Sequence, residues 1–155
     1  MPGHFYRRVL PHLERDYKPH FITFCTQDRW RLPGWARSLV LDCCLHDQSI
    51  KFDLHVVVVM PDHAHLILTP LINTKAKCVY SLAEIMDAIK GVSSHRINHR
   101  LGRHGRIWQA ESFDHVLRSS ESLDQKIVYI LNNPVRKGLV SCPQEYAWLW
   151  RKPSF

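Results

Sequence analysis

The feature that most constrains the fold is a long apolar segment with one tight turn near its middle. It runs FDLHVVVVMPDHAHLILT, from Phe52 to Thr69. Its first half is almost continuously apolar, which is typical of a strand covered on both faces of a sheet. The pair Pro61 and Asp62 favours a tight turn, so the second half is predicted to return beside the first as an antiparallel strand. The segment therefore predicts a hairpin at the centre of a sheet.

Shorter signals predict the other elements around this hairpin. Further strands are predicted at residues 21–26 (FITFCT) and 112–118 (SFDHVLR), and helices at residues 35–47, 81–101 and 122–133. The capping boxes SLAE at Ser81 and SLDQ at Ser122 predict where the last two helices begin. Gly102 and Pro134 are predicted to end them. This order of strands and helices predicts an α+β fold with an antiparallel sheet on which the helices pack.

Length and composition exclude several classes of protein. The 155 residues, 45% hydrophobic and 23% charged, suit a single domain over residues 1–155 with one hydrophobic core. No apolar run reaches the roughly 18 residues that a membrane-spanning helix needs. The segment MPGHFYRRVL lacks the apolar core of a signal peptide. Five cysteines without a CxxC pair favour reduced thiols, so we expect a cytoplasmic protein.

The chain is basic, and its basic residues are concentrated in one region. It has 21 Lys and Arg against 14 Asp and Glu, a net charge of +7. No acidic residue occurs between Ala88 and Ala110. The candidates for contact with a phosphate backbone in this region are Lys90, Arg96, Arg100, Arg103 and Arg106. A solvated helix face with no ligand would have the same pattern. Trp108 and Gln109 could stack on or recognise bases, although Trp108 fits the hydrophobic core equally well.

Two histidines interrupt the apolar hairpin. His63 and His65 lie two residues apart in a predicted strand, so both side chains project from the same face. They are either satisfied core residues or two ligands of one divalent ion. Ile67 occupies the position at which histidine-triad nucleotide hydrolases carry a third histidine, which disfavours that class. Two histidines leave coordination positions open, which suits a catalytic ion with an oxygen ligand from elsewhere.

The last predicted helix carries a tyrosine on the side away from its apolar stripe. Tyr129 lies about 160° around the helix from Ile127, the centre of that stripe. Asn133 lies one turn later on the same face as Tyr129, and Lys126 borders that face. A tyrosine packed against another element is the alternative to a functional one.

Four motifs together resemble a known family. MPDHAHLIL, SLAEIMDAIKG, GRIWQAESFDHVLRSSESL and YILNNPVRKGLV occur between Phe21 and Val140. They resemble, in order and spacing, the single-tyrosine HUH transposases of the bacterial REP-associated branch. The resemblance implies a ferredoxin-like HUH domain that nicks and rejoins single-stranded DNA beside hairpins of palindromic repeats, and that associates with the nucleoid when bound to DNA. One departure is Lys137, where many relatives have alanine, and we expect it to be harmless.

The same resemblance implies roles for individual residues. His63, His65 and Asn133 would hold Mg²⁺ or Mn²⁺, and Tyr129 would form a covalent 5′-phosphotyrosine intermediate. Residues expected to support the ligands or to contact DNA are Asp114, His115 and Lys126. We expect a monomer whose tyrosine acts beside its own histidines, with a dimer as the alternative. A non-catalytic protein that binds DNA hairpins on the same fold is the competing function.

Overall fold

The computed structural model of the chain describes residues 17–154, which contain seven strands and three α-helices. The strands are β1 (His20–Cys25), β2 (Phe52–Val59), β3 (His63–Pro70), β4 (Ile72–Asn73), β5 (Cys78–Val79), β6 (Phe113–Val116) and β7 (Leu149–Arg151). The α-helices are α1 (Gly34–His46), α2 (Leu82–Leu101) and α3 (Ser120–Arg136). The signal-peptide expectation concerns residues outside the described part of the chain. None of the described helices is long and apolar enough to span a membrane.

Five of the strands form one antiparallel sheet in the order β6-β1-β3-β2-β7. The predicted hairpin of β2 and β3 lies in its interior, because β1 covers one side of it and β7 the other. The pairing of β2 with β3 contains one irregularity, between Leu54 and Val56. Strand β7 comes from the C-terminal segment, for which the sequence predicted no strand. The α+β fold with an antiparallel sheet and packed helices is confirmed.

Helices cover both faces of the sheet. Helices α1 and α2 pack on the face that carries Ile22, Phe24 and Leu66. Helix α3 packs on the opposite face, where Ile130 joins Phe21 in a second hydrophobic cluster. Alternate residues of β1, β2 and β3 contribute to the two clusters, as the pleat of a strand requires. The sheet therefore separates the molecule into an α1/α2 face and an α3 face.

Helix α2 begins and ends where the sequence predicts. Ser81 is its N-cap, and its Oγ accepts a hydrogen bond of 3.0 Å from the backbone N–H of Glu84. Gly102 ends the helix at φ 62°, a left-handed conformation that favours glycine.

The predicted bounds of α3 were wrong at both ends. Its N-cap is Ser119, whose Oγ accepts from the backbone N–H of Ser122, so the helix starts one turn before the SLDQ box. The helix also continues through Pro134 to Arg136. A proline so close to the end removes only one hydrogen bond of the helix. The carbonyl of Pro134 accepts from the N–H of Leu139 at 2.9 Å, which helps to close this last turn.

Candidate active site

The two histidines of β3 lie side by side on the α3 face. Their ring centroids are 4.7 Å apart, with an angle of 73° between the rings. Ala64, between them, belongs to the cluster on the α1/α2 face. His65 is buried and His63 is half-buried. The pleat of β3 thus brings both imidazoles to one place at the end of the sheet, where Cys25 of β1 pairs with His63.

Each imidazole is held through Nδ1. His63 Nδ1 donates to Asp62 Oδ1 at 2.7 Å, and Arg29 Nε donates to the other oxygen of the same carboxylate at 3.1 Å. His65 Nδ1 lies 2.7 Å from Thr23 Oγ1 on the neighbouring strand. These contacts orient both rings and leave each Nε2 available to a ligand.

The surroundings keep both histidines neutral. Burial, with smaller contributions from the neighbouring His63, Arg136 and Lys137, lowers the pKa of His65 to about 3. The pKa of His63 is also lowered, first by burial and then by the charges of Arg29 and Lys137, although the Asp62 carboxylate acts to raise it. The neutral form is the one that binds a metal ion, because its second nitrogen keeps a free lone pair. Lys137, the departure from the family motif, therefore contributes to the electrostatics of the site.

Tyr129 of α3 lies next to this pair. Its ring centroid is 5.9 Å from that of His65 and 6.0 Å from that of Phe21. The side chain is exposed, with 37% of its surface accessible. The Arg136 guanidinium lies 4.2 Å from the ring centroid and the Lys126 ammonium 5.4 Å from it. An exposed phenol between two cations suits contact with a phosphate diester.

Asn133 lies one turn after Tyr129 and is buried, with 1% of its surface exposed. Its Oδ1 has no hydrogen-bond partner among the described residues. A buried amide oxygen without a partner costs about 1–3 kcal/mol, so a ligand at this atom would recover that energy. Within residues 17–154, no group of three His, Cys, Asp or Glu side chains could hold a metal ion. Any ion here would use two imidazoles and an amide oxygen instead.

Asp114 does not support either histidine of the pair. Its Oδ1 accepts from Nδ1 of His20 at 2.9 Å, and it pairs with Ile22, which faces α1 and α2. Asp114 therefore lies on the α1/α2 face of the sheet, so the expectation that it orients a metal ligand is wrong, while its contact with DNA stays a prediction. His115 pairs with Phe21 and shares its face, so it stays a candidate for DNA contact.

Three of the predicted DNA contacts form hydrogen bonds within the protein. Trp108 is only 3% exposed, and its Nε1 donates to Ser93 Oγ at 2.9 Å, so it belongs to the core and does not stack on bases. Gln109 Nε2 donates to the carbonyl of Thr26. Lys90 Nζ donates to the carbonyl of Gln109 at 2.8 Å. These three side chains tie α2 and the segment after it to the end of β1.

The remaining predicted DNA contacts of this region are exposed, on α2 or in the segment that follows it. They are Arg96, Arg100, Arg103 and Arg106. The Arg100 guanidinium lies 4.2 Å from the centroid of the Trp35 ring. The structure does not bring these arginines to the histidine pair, and their contact with DNA stays a prediction.

Sequence reasoning missed the groups that hold the imidazoles. Asp62 was predicted only as a turn residue and Thr23 only as a strand residue. The contact between Thr23 and His65 depends on the pairing of β1 with β3, which places these two residues directly opposite each other. The contact between Thr23 and His65 could have been predicted only with the register of β1 against β3. The carboxylate next to His63 was visible as the DH pair in MPDHAH.

A match to a family model shows which protein family the chain belongs to. The Y1_Tnp family, described as Transposase IS200 like, matches residues 15–133. The chain belongs to the IS200-like transposases. This confirms the resemblance to single-tyrosine transposases.

Individual relatives of this IS200-like chain agree with the family. A Haemophilus influenzae protein that carries the name REP-associated tyrosine transposase is 25% identical over 138 residues, which cover 83% of this chain and 77% of that protein. A solved structure of a REP-associated tyrosine transposase bound to a REP hairpin superposes with a TM-score of 0.70 at 20% identity, over 86% of this chain and 76% of that one. A crystal structure of a transposase-like protein from Deinococcus radiodurans has a TM-score of 0.50 at 21% identity, over 75% and 91%.

Proposed function

We propose that this IS200-like chain nicks and rejoins single-stranded DNA beside hairpins, through a covalent link between DNA and Tyr129. The observation that carries the proposal is the position of Tyr129, an exposed phenol whose ring centroid is 5.9 Å from that of His65. The relative bound to a REP hairpin supports a hairpin of palindromic repeats as the substrate.

The proposed metal ligands are Nε2 of His63, Nε2 of His65 and Oδ1 of Asn133. The side chains fit this role, because both histidines favour the neutral form and the Asn133 oxygen has no partner among the described residues. When bound, a divalent ion such as Mg²⁺ or Mn²⁺ would polarise the scissile phosphate and orient it.

The protein groups would carry out the bond exchange. Tyr129 Oη attacks the phosphorus, an Oη–P bond forms and the bond from phosphorus to the 3′ oxygen breaks. The phenol proton passes to water at the exposed face, and the leaving 3′ oxygen takes up a proton from water. Lys126 and Arg136 bring positive charge to the phosphate as the tyrosine approaches it. The 5′ phosphate stays on Tyr129, so a DNA 3′-hydroxyl can later displace the tyrosine without ATP.

The test uses end-labelled hairpin DNAs from the sequence that flanks the protein's own gene. They are incubated with Mg²⁺ or Mn²⁺ and resolved on a denaturing gel. We expect a protein–DNA adduct on the fragment downstream of the cut, lost in Tyr129→Phe and His65→Ala. Tyr17→Phe is the matched control, since Tyr17 is also exposed but contacts none of the proposed ligands. Hairpin binding without an adduct under every metal condition would favour the non-catalytic binding protein.

A further inference from the structure

A pocket lies beyond the histidine pair, at the end of β1. Its volume is about 250 Å³, and its lining includes Trp30, Asp28, Arg103 and Arg106. This volume is near the lower end, roughly 300 Å³, of pockets for small-molecule ligands, so the pocket suits at most one nucleotide. We propose that it binds one unpaired nucleotide of the DNA strand, with the base stacked on Trp30 and its phosphate held by Arg103 and Arg106. The inference rests on the proposed function for its substrate class.

The walls of the pocket are fixed by the fold. One wall is the short 3₁₀ turn Gln27–Arg29, and the other is the segment after α2 that ends at Ile107. Gln27 N–H donates to the carbonyl of Ile107 at 2.8 Å, and Thr26 Oγ1 donates to the carbonyl of Trp30 at 2.7 Å. The indole is therefore held on an anchored backbone, and little ordering is needed when a ligand binds.

The chemistry of the lining matches a nucleotide. Trp30 is half-buried, with part of its ring packed against the core. The Arg103 guanidinium lies 5.6 Å from the Trp30 ring centroid, farther than the 4.2 Å between Arg100 and Trp35. No carboxylate among residues 17–154 forms a salt bridge with Arg103 or Arg106.

Asp28 is the one acidic residue of the lining. It repels a phosphate, but its carboxylate accepts a hydrogen bond from the exocyclic amine of a base. Within the lining, an aromatic ring, two arginines and a hydrogen-bond acceptor thus provide a partner for each part of a nucleotide.

The pocket is connected to the proposed active site through a chain of side-chain contacts. Arg29 ends the turn that forms one wall, and its side chain donates to Asp62, which in turn accepts from His63. Asp28 and Arg29 have φ of 56° and 55°, a conformation that costs energy and persists only where the surroundings hold it. A strand that passes over the histidine pair would reach the pocket across Arg29. The pocket would thus position DNA next to the cleaved bond.

The test measures by fluorescence anisotropy, in EDTA, how tightly the protein binds two fluorescein-labelled strands of equal length. One is a twelve-nucleotide deoxyadenylate, and the other is an abasic phosphodiester. Stacking of one base changes affinity by at least about 5-fold. We expect Trp30→Ala to reduce the preference for the strand with bases by that factor, and Trp30→Phe to reduce it less. Trp35→Ala is the control, since that indole already carries the Arg100 guanidinium at close range.

The arginines are tested separately, because they are exposed and their substitution leaves the core unchanged. Arg103→Gln and Arg106→Gln should each weaken binding of both strands and reduce the salt dependence of log K by about 0.7 per lost phosphate contact. An unchanged preference in folded Trp30→Ala, or an equal loss in Trp35→Ala, overturns the pocket. If the Tyr129 adduct still forms in that case, the proposed function stands alone. If Trp30→Ala loses the preference for the strand with bases but the wild type forms no adduct, the pocket is supported and the proposed covalent reaction at Tyr129 is contradicted.

Discussion

Acid should destabilise this protein through His65. The pKa of the side chain is about 3 in the folded state against 6.5 in an unfolded chain, so between these values only the unfolded state takes up the proton. The contribution of His65 to the free energy of unfolding is therefore fully present above pH 6.5 and decreases as the pH falls below that value. When the pH is lowered from 7.5 to 5.0, about 1.5 pH units lie below the pKa of the unfolded histidine. At about 1.36 kcal/mol per unit, the free energy of unfolding falls by about 2 kcal/mol.

The assay is urea denaturation at both pH values in EDTA, since a bound metal ion would also favour the neutral histidine. We expect the wild type to lose about 2 kcal/mol more than His65→Gln between pH 7.5 and pH 5.0. His46→Gln is the matched control, because its side chain is 82% exposed. If His65→Gln and the wild type lose the same free energy of unfolding, the argument that burial keeps this imidazole neutral is refuted.

Three further predictions concern metal binding and stability. Asp62→Asn should weaken Mn²⁺ binding about 10- to 100-fold, measured by electron paramagnetic resonance, because the carboxylate orients His63; an unchanged affinity would contradict this. Ser119→Ala should lower the free energy of unfolding by about 1 kcal/mol, whereas Ser120→Ala should change it by less than about 0.5 kcal/mol; equal losses would rule against the observed helix start. Trp108→Phe should cost about 1–3 kcal/mol, as a lost buried hydrogen bond does, and a neutral result in thermal unfolding would argue against its burial in the core.

The hairpin and the long helix were predictable because their signals are local. The apolar run of β2 and β3 has only one plausible arrangement around its turn, and Ser81 is followed by a clear helical period. The start of α3 was harder, since Ser119 and Ser122 are both good N-caps and the local pattern does not choose between them.

What the sequence left open or assigned wrongly at individual site residues has a different cause. Whether Trp108 is buried, and which histidine Asp114 contacts, depends on residues far away in the sequence. His20 and Asp114 are 94 positions apart, and they meet only because β6 pairs with β1. Strand register and the face on which a helix packs are tertiary properties, which local patterns do not contain.

The C-terminal strand β7 also protects the protein from self-association. Without it, the edge of the sheet would be β2, which contains four consecutive valines from Val56 to Val59. A flat apolar edge with free N–H and C=O groups can pair with the same edge of another copy. Strand β7 covers this edge with only three residues, and the flanking bond from Lys152 N–H to the carbonyl of His55 extends the cover. The new outer edge is only three residues long and is followed by Lys152, whose side chain pairs with Asp53, and a short edge with a charged lysine beside it is a poor template for aggregation.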